Sequence, residues 1–188
     1  MPKTTPSLRP EPLRSQPMDQ ASRPVPSDWR LVAPKMHTAI RDALASGRWP
    51  WYLHGPAGGG KTSAAAVVYR HWPDGWALFW DCGRVCRDLV AARVEGREGP
   101  LKNTLRDADL IVLDDIATRE PTGPQLDALL AILNWRGAKP LITTGNAAPE
   151  ELANILHDDR VVSRLCAGVI IEVAGKDRRL QGTLNLKV

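Results

Sequence analysis

A three-layer α/β domain, with a parallel sheet covered by helices on both faces, is the fold this sequence predicts. Three observations lead there. Strand patterns alternate with helical patterns along the chain. Leu110-Ile111-Val112-Leu113 is apolar without interruption, as a strand buried on both faces must be. The 188 residues suffice for one core of ordinary size and exclude two large domains.

The elements follow in order. Half of the 16 prolines lie in the first 34 residues among Ser, Thr, Gln and Arg, so 1–27 reads as a disordered Pro-rich arm with little apolar surface to bury. The folded domain is expected over 28–188. Met36, Ala39, Ile40, Ala43 and Leu44 recur at helical spacing within 33–46, and Gly47 stops the helix. Residues 50–54 read as a strand and 61–72 as a helix rich in Ala and Val. The turn residues Trp72-Pro73-Asp74-Gly75 lead to a strand over 76–80. Helical pattern resumes over 85–94, and a Gly-broken basic stretch follows before the strand at 110–113. A helix over 125–135, a strand over 140–144, helices over 149–156 and 160–166, and a strand over 169–173 complete the series.

Composition narrows the function classes. A net charge of +4 permits contact with a polyanion but does not require it. Cys82, Cys86 and Cys166 are too few for a disulfide framework, and C-x3-C without a further ligand makes no zinc site. No apolar run approaches the roughly 20 residues that span a bilayer, and MPKTTPSLRPEP lacks the apolar stretch of a secretory signal. The expectation is a cytoplasmic protein without membrane contact.

The chemistry is concentrated in three segments. Gly55-Pro56-Ala57-Gly58-Gly59-Gly60-Lys61-Thr62 matches G-x4-G-K-[ST] after a strand and at the opening of a helix, the context a P-loop requires. A Gly-rich loop lets successive N–H groups converge on phosphate oxygens without Cβ clashes, and the helix that Ser63 continues adds its positive N-terminal end. Lys61 then reaches the β and γ phosphates, and Thr62 offers its hydroxyl to Mg²⁺. Asp114 and Asp115 end an apolar strand where open α/β sheets bind ligands. Asp114 suits Mg²⁺ and Asp115 suits an attacking water, although paired Asp residues at a strand end also cap helices. In Leu141-Ile142-Thr143-Thr144-Gly145-Asn146, either Asn146 or Thr144 can hydrogen-bond the water or the γ phosphate, provided this strand lies between the other two. A plain turn is the competing interpretation.

These segments, with Asn134-Trp135-Arg136, Asp159-Arg160-Val161-Val162-Ser163-Arg164-Leu165 and Gly175-Lys176-Asp177-Arg178, resemble in order and spacing the DnaC/IstB-like AAA+ ATPases. That family comprises bacterial and phage helicase loaders and the helper ATPases of transposases. The resemblance runs from Trp49 to Arg179. It implies a P-loop AAA+ core, ATP and Mg²⁺ as ligands, a homo-oligomer, and DNA plus a replicative helicase or a transposase as partners. Single-stranded DNA is the expected form. It further implies that Lys61, Asp115, Asn146 and Arg164 are catalytic, Arg164 as an arginine finger entering a neighbouring subunit's site. Arg160, one turn earlier, can share that task.

The sequence departs from related ATPases in two places. Only 15 residues follow Val173, so a full C-terminal helical lid is not expected. Arg178, with Arg179 beside it, is the candidate to contact nucleotide in its place, and a surface basic cluster is the competing interpretation. The N-terminal arm likewise lacks the length of a folded helicase-binding domain. Arg84, Arg87, Arg93, Arg97, Lys102 and Arg106 crowd the stretch that in related ATPases grips the backbone of single-stranded DNA, with Asp88, Glu95, Glu98 and Asp107 to offset them. No aromatic residue lies between Cys82 and Ala108, so stacking on bases is not expected there. Trp49 and Trp51 border the P-loop strand, where either can flank an adenine, although a core role suits them too. The alternatives left open are a helicase loader, an IstB-type transposase helper and a non-hydrolysing ATP-switched adaptor.

Overall fold

In the computed structural model, residues 32–73 and 75–173 are described. The arm at 1–27 and Arg178 fall outside them. Five parallel strands, β1 (Trp51–His54), β2 (Ala77–Asp81), β3 (Leu110–Ile116), β4 (Leu141–Gly145) and β5 (Val169–Glu172), form one sheet in the order β2-β3-β4-β1-β5. The helices are α1 (Pro34–Ser46), α2 (Lys61–Arg70), α3 (Cys82–Val94), α4 (Glu98–Asp107), α5 (Gly123–Arg136), α6 (Pro149–Leu156) and α7 (Asp159–Leu165).

Strand alternation builds the two cores. Tyr52, Leu78, Ile111, Leu113 and Leu141 point to the side covered by α3, α4, α5, α6 and α7, while Trp51, Leu53, Phe79, Leu110, Val112 and Ile142 point to the side covered by α1 and α2. The three layers expected from the alternating pattern are therefore present. None of the helices among the described residues is long and apolar enough to cross a membrane.

The Gly-broken basic stretch needs correction. Residues 98–107 form α4, with Pro100 in its first turn, where a missing N–H is harmless. The turn at Glu95-Gly96-Arg97 separates it from α3, and Gly96 adopts a left-handed φ of 66°. Leu105 buries α4 against the α5 side, and the buried Arg136 guanidinium caps its C-terminal end. Nη1 of Arg136 donates to the carbonyls of Leu105, Arg106 and Ala108 at 3.2, 3.4 and 2.6 Å, and Nη2 donates to Pro140 O at 2.5 Å. Burial pulls this guanidinium down to about 10, against the opposing pull of the nearby Asp109 charge.

Two close approaches fix the rim of β1. A Cβ on Gly168 would collide with the backbone of Trp49 and Pro50, so the chain entering β5 lies directly on the chain entering β1. At the other end Val173 N donates to His54 O at 2.7 Å, and a Cβ on Gly55 would strike the Val173 carbonyl. The loop after β1 is thereby pinned where β5 ends.

Candidate functional site

The order of strands decides what can meet. β4 lies between β1 and β3, so the loop after β1, the two Asp residues of β3 and the polar end of β4 share one rim of the sheet. The loop 55–60 requires glycine at two points in particular: Gly55, at φ 139°, abuts Val173, and Gly60, at φ 100°, stands immediately before the first turn of α2. No acidic residue occupies that first turn, so the positive end of α2 is uncompensated toward the loop.

Lys61 is buried. Its Nζ donates to Gly55 O, Pro56 O and Asn146 Oδ1, each at 2.9 Å. The ammonium thus sits in the mouth of the loop, tied to the end of β4. Thr62, the next residue, donates its hydroxyl to both oxygens of Asp114 at 2.9 and 3.1 Å. That contact follows from the pleat, since Leu110, Val112 and Asp114 share a face and α2 covers it. Ser63 lies half-buried in the first turn of α2, and Pro56 and Ala57 are exposed on the loop.

Thr144 links the two acids. Its hydroxyl donates to Asp114 Oδ1 at 2.6 Å and accepts the N–H of Asp115 at 2.9 Å. The register between β3 and β4 shifts between Leu113 and Ile116, and Asp115 adopts a left-handed φ of 66° inside that irregularity. Burial raises the Asp114 carboxyl above the ordinary Asp range, the Thr144 and Thr62 hydrogen bonds oppose the shift, and the nearby Asp115 charge adds to it. Asp115 itself is exposed at the rim, as is Asn146.

This donor set fits a small divalent cation. A hydroxyl and a carboxylate side by side are hard oxygen ligands, and Mg²⁺ typically takes one or two such groups while water and phosphate oxygens fill the rest.

Tyr52 was not singled out by sequence and belongs to this rim. Buried on β1, its hydroxyl donates to Ala147 O at 2.7 Å and so anchors the turn that carries Asn146. Gly145 is the residue that admits it, because a Cβ there would lie 2.6 Å from the Tyr52 hydroxyl. Burial keeps the phenol well above its usual range, so it remains a donor. A Tyr next to a glycine two strand positions away in space is invisible without the strand order.

Other candidate residues lie elsewhere. Arg164 and Arg160 are exposed on α7, and Arg164 Nε donates to Asn134 Oδ1 of α5 at 2.7 Å. On α3 and α4, Arg84 pairs with Asp88, Arg93 with Glu98, Arg97 with Glu95 and Arg106 with Asp107. Among the described residues, Arg87 and Lys102 have no carboxylate partner. Lys102 instead lies 5.3 Å from the ring centre of Trp135, with Arg93 at 5.9 Å. Trp51 is buried at the start of β1, stacked on Trp49 at 4.4 Å, with Trp72 edge-on. These rings gather at the end of β1 opposite the loop, which makes them core rather than a flank for adenine.

The model of the bacterial DnaA ATPase domain matches residues 30–172. An ATP-binding protein in an insertion sequence of Mycobacterium tuberculosis is 34% identical over 144 residues, 70% of this chain and 56% of that protein. The replication initiator DnaA bound to AMPPCP and single-stranded DNA superposes with a TM-score of 0.64 at 18% identity, over 78% of this chain and 52% of that one. The DnaC helicase loader gives 0.64 at 18% identity, over 76% of this chain and 92% of that one. At such identities these two likenesses establish the AAA+ P-loop fold. The chain spans about half the length of the insertion-sequence relative and 29% of the DnaA protein of Zymomonas mobilis. With its strand order, its Gly-rich loop and a family match over most of its length, the chain belongs to the bacterial DnaA ATPase domain family of AAA+ proteins.

Proposed function

We propose that this protein is a Mg²⁺-dependent ATPase that assembles with copies of itself on single-stranded DNA and delivers a replicative helicase. The observation that carries the reading is the hydrogen-bonded set at the sheet rim: Lys61 tied to Asn146, and Thr62 tied to Asp114. Each of these contacts joins a residue of α2 to the end of a different strand, so one ligand bound at the loop reaches both.

The residues divide the work as follows. Loop N–H groups from Gly58 to Thr62 and the N-terminal end of α2 receive phosphate oxygens. Lys61 exchanges loop carbonyls for the β and γ oxygens and keeps Asn146 close to the γ position. Mg²⁺ bound by Thr62 and Asp114 would neutralise charge between the β and γ phosphates. Asp115, exposed and held through its N–H by Thr144, accepts the proton of the attacking water. Arg164 of a neighbouring copy stabilises the charge on the transferring phosphoryl group, and Arg178 contacts the nucleotide. DNA contacts fall to the α3–α4 face with Arg84, Arg87, Arg93, Arg97, Lys102 and Arg106.

The test is ATP turnover by the purified full chain with and without single-stranded DNA. Turnover should need Mg²⁺ and rise with DNA, and Lys61→Ala should reduce it to background; equal turnover by that variant would sink the reading. A transposase helper is the second reading, favoured by the 34% identity to the insertion-sequence protein. Tighter binding to duplex than to single-stranded DNA, together with capture of a transposase and not a helicase, selects it.

A further inference from the structure

Helix α7 carries two arginines one turn apart, and the structure treats them differently. Arg160 is forked on Asp158, Nε to Oδ1 at 3.0 Å and Nη2 to Oδ2 at 2.7 Å. Those bonds hold the Asp158 carboxyl down at about 2, so across the working pH range it stays ionised beside Arg160 and offsets that charge. Among the described residues, the acceptors that Arg164 meets are neutral: its Nε donates to Asn134 Oδ1 at 2.7 Å and its Nη1 to the Arg160 carbonyl at 3.0 Å.

We propose that Asn134 is the positioning residue for Arg164, fixing its guanidinium on the subunit surface through a neutral acceptor so that it enters the nucleotide site of a second copy with its charge intact. The inference rests on the role in trans given to Arg164 above. It also assigns that role to Arg164 and not to Arg160. The physical requirement is twofold. A guanidinium that stabilises a phosphoryl group has to arrive uncompensated, since a carboxylate partner cancels the charge it is to deliver. It also has to arrive in one orientation, because a displacement of about 1 Å at a reacting centre can cost about 10²-fold.

An amide oxygen satisfies both conditions. It takes one N–H of the fork and contributes no charge, and the two bonds leave three of the five guanidinium N–H groups for phosphate oxygens. The platform beneath it is firm. Asn134 is the residue after the buried Leu133 and two before the buried Arg136, on the helix against which α7 packs.

The experiment mixes two full-length variants. Lys61→Ala retains Arg164 and lacks a working loop, whereas Arg164→Ala retains its loop and lacks the finger. Their mixture should recover ATP turnover that neither shows alone. Asn134→Asp is then added to one partner at a time. In the Lys61→Ala partner it should cut the recovered turnover about tenfold with KM for ATP unchanged, because the finger donated in trans is neutralised. In the Arg164→Ala partner it should change nothing. Asn134→Ala, which leaves the charge and frees its direction, should show the same dependence on which partner carries it.

Equal recovery wherever the Asn134 substitution sits, or an equal fall in both placements, overturns the assignment of Asn134. Failure of the parent mixture to recover any turnover overturns instead the role of Arg164 in trans.

Discussion

Thr144 serves two acids with one hydroxyl. It donates to Asp114 and accepts from the Asp115 N–H, and at 1% exposure it has no outlet to solvent. A residue in left-handed backbone such as Asp115 persists only where its surroundings hold it, and here that hold is the Thr144 oxygen. Thr144→Val keeps the shape and the β-branching and removes both bonds. Turnover should fall at least about tenfold with a smaller change in KM, and denaturant unfolding should report a loss of about 1–3 kcal/mol, because the Asp115 N–H loses its acceptor and the Asp114 carboxylate keeps only its Thr62 donor. Thr144→Ser should restore most of both, since it keeps the hydroxyl. The sequence left Asn146 and Thr144 as alternatives for one role. The structure separates them, because Thr144 points into the rim against the acids whereas Asn146 is exposed and holds Lys61. That difference depends on the register shift between Leu113 and Ile116, which no spacing of residues encodes. The loop and Asp114, by contrast, were legible, because a strand, a Gly-rich run, Lys-Thr and a helix can assemble in few other ways.

Among the elements, α4 was the one the pattern concealed. Gly96, Gly99 and Pro100 read as breakers, yet Pro100 falls in the first turn, and only Leu105 is buried along the helix. Tertiary contacts hold it, chiefly the Arg136 guanidinium that gathers the carbonyls of Leu105, Arg106, Ala108 and Pro140. Arg136 thus joins the end of α4 to the strands β3 and β4 that begin beside it. Arg136→Leu should destabilise the fold by about 3 kcal/mol, since it fills the space but leaves those carbonyls without their charged donor. Amide exchange should accelerate first in α4, ahead of the strands; uniform acceleration across the sheet would mean that Arg136 supports the core as a whole. The other helices and all five strands were legible to within a few residues at each end, because each carries either a full apolar stripe or an apolar run bounded by turn residues.

At the scale of the molecule, charge and sheet polarity set what the surface can do. The loop, Lys61, Thr62, Asp114, Asp115 and Asn146 stand where the parallel strands end, while the Trp49, Trp51 and Trp72 rings close the opposite end of β1. The helices α3 and α4 and the turn between them carry the basic residues proposed to meet DNA, and four of the six are paired with carboxylates. Surface pairs of this kind are weak, about 0–1 kcal/mol, so a phosphate can displace the acid. The displaced carboxylate remains nearby and continues to cancel charge, however, so each exchange releases little counterion. Arg87 and Lys102 then dominate the response to salt. With about 0.7 units of slope per phosphate neutralised on a single strand, two such contacts predict a log–log salt slope of about 1.4 per subunit, against about 4 if all six acted independently. Anisotropy titrations of a labelled oligothymidine across a salt series measure this directly. The double variant Arg87→Ala with Lys102→Ala should flatten the slope, and Arg84→Ala with Arg97→Ala should leave most of it. A slope near 4 would instead mean that the four acids swing clear on binding, and then the whole basic face, and not its two unpaired residues, would be the grip.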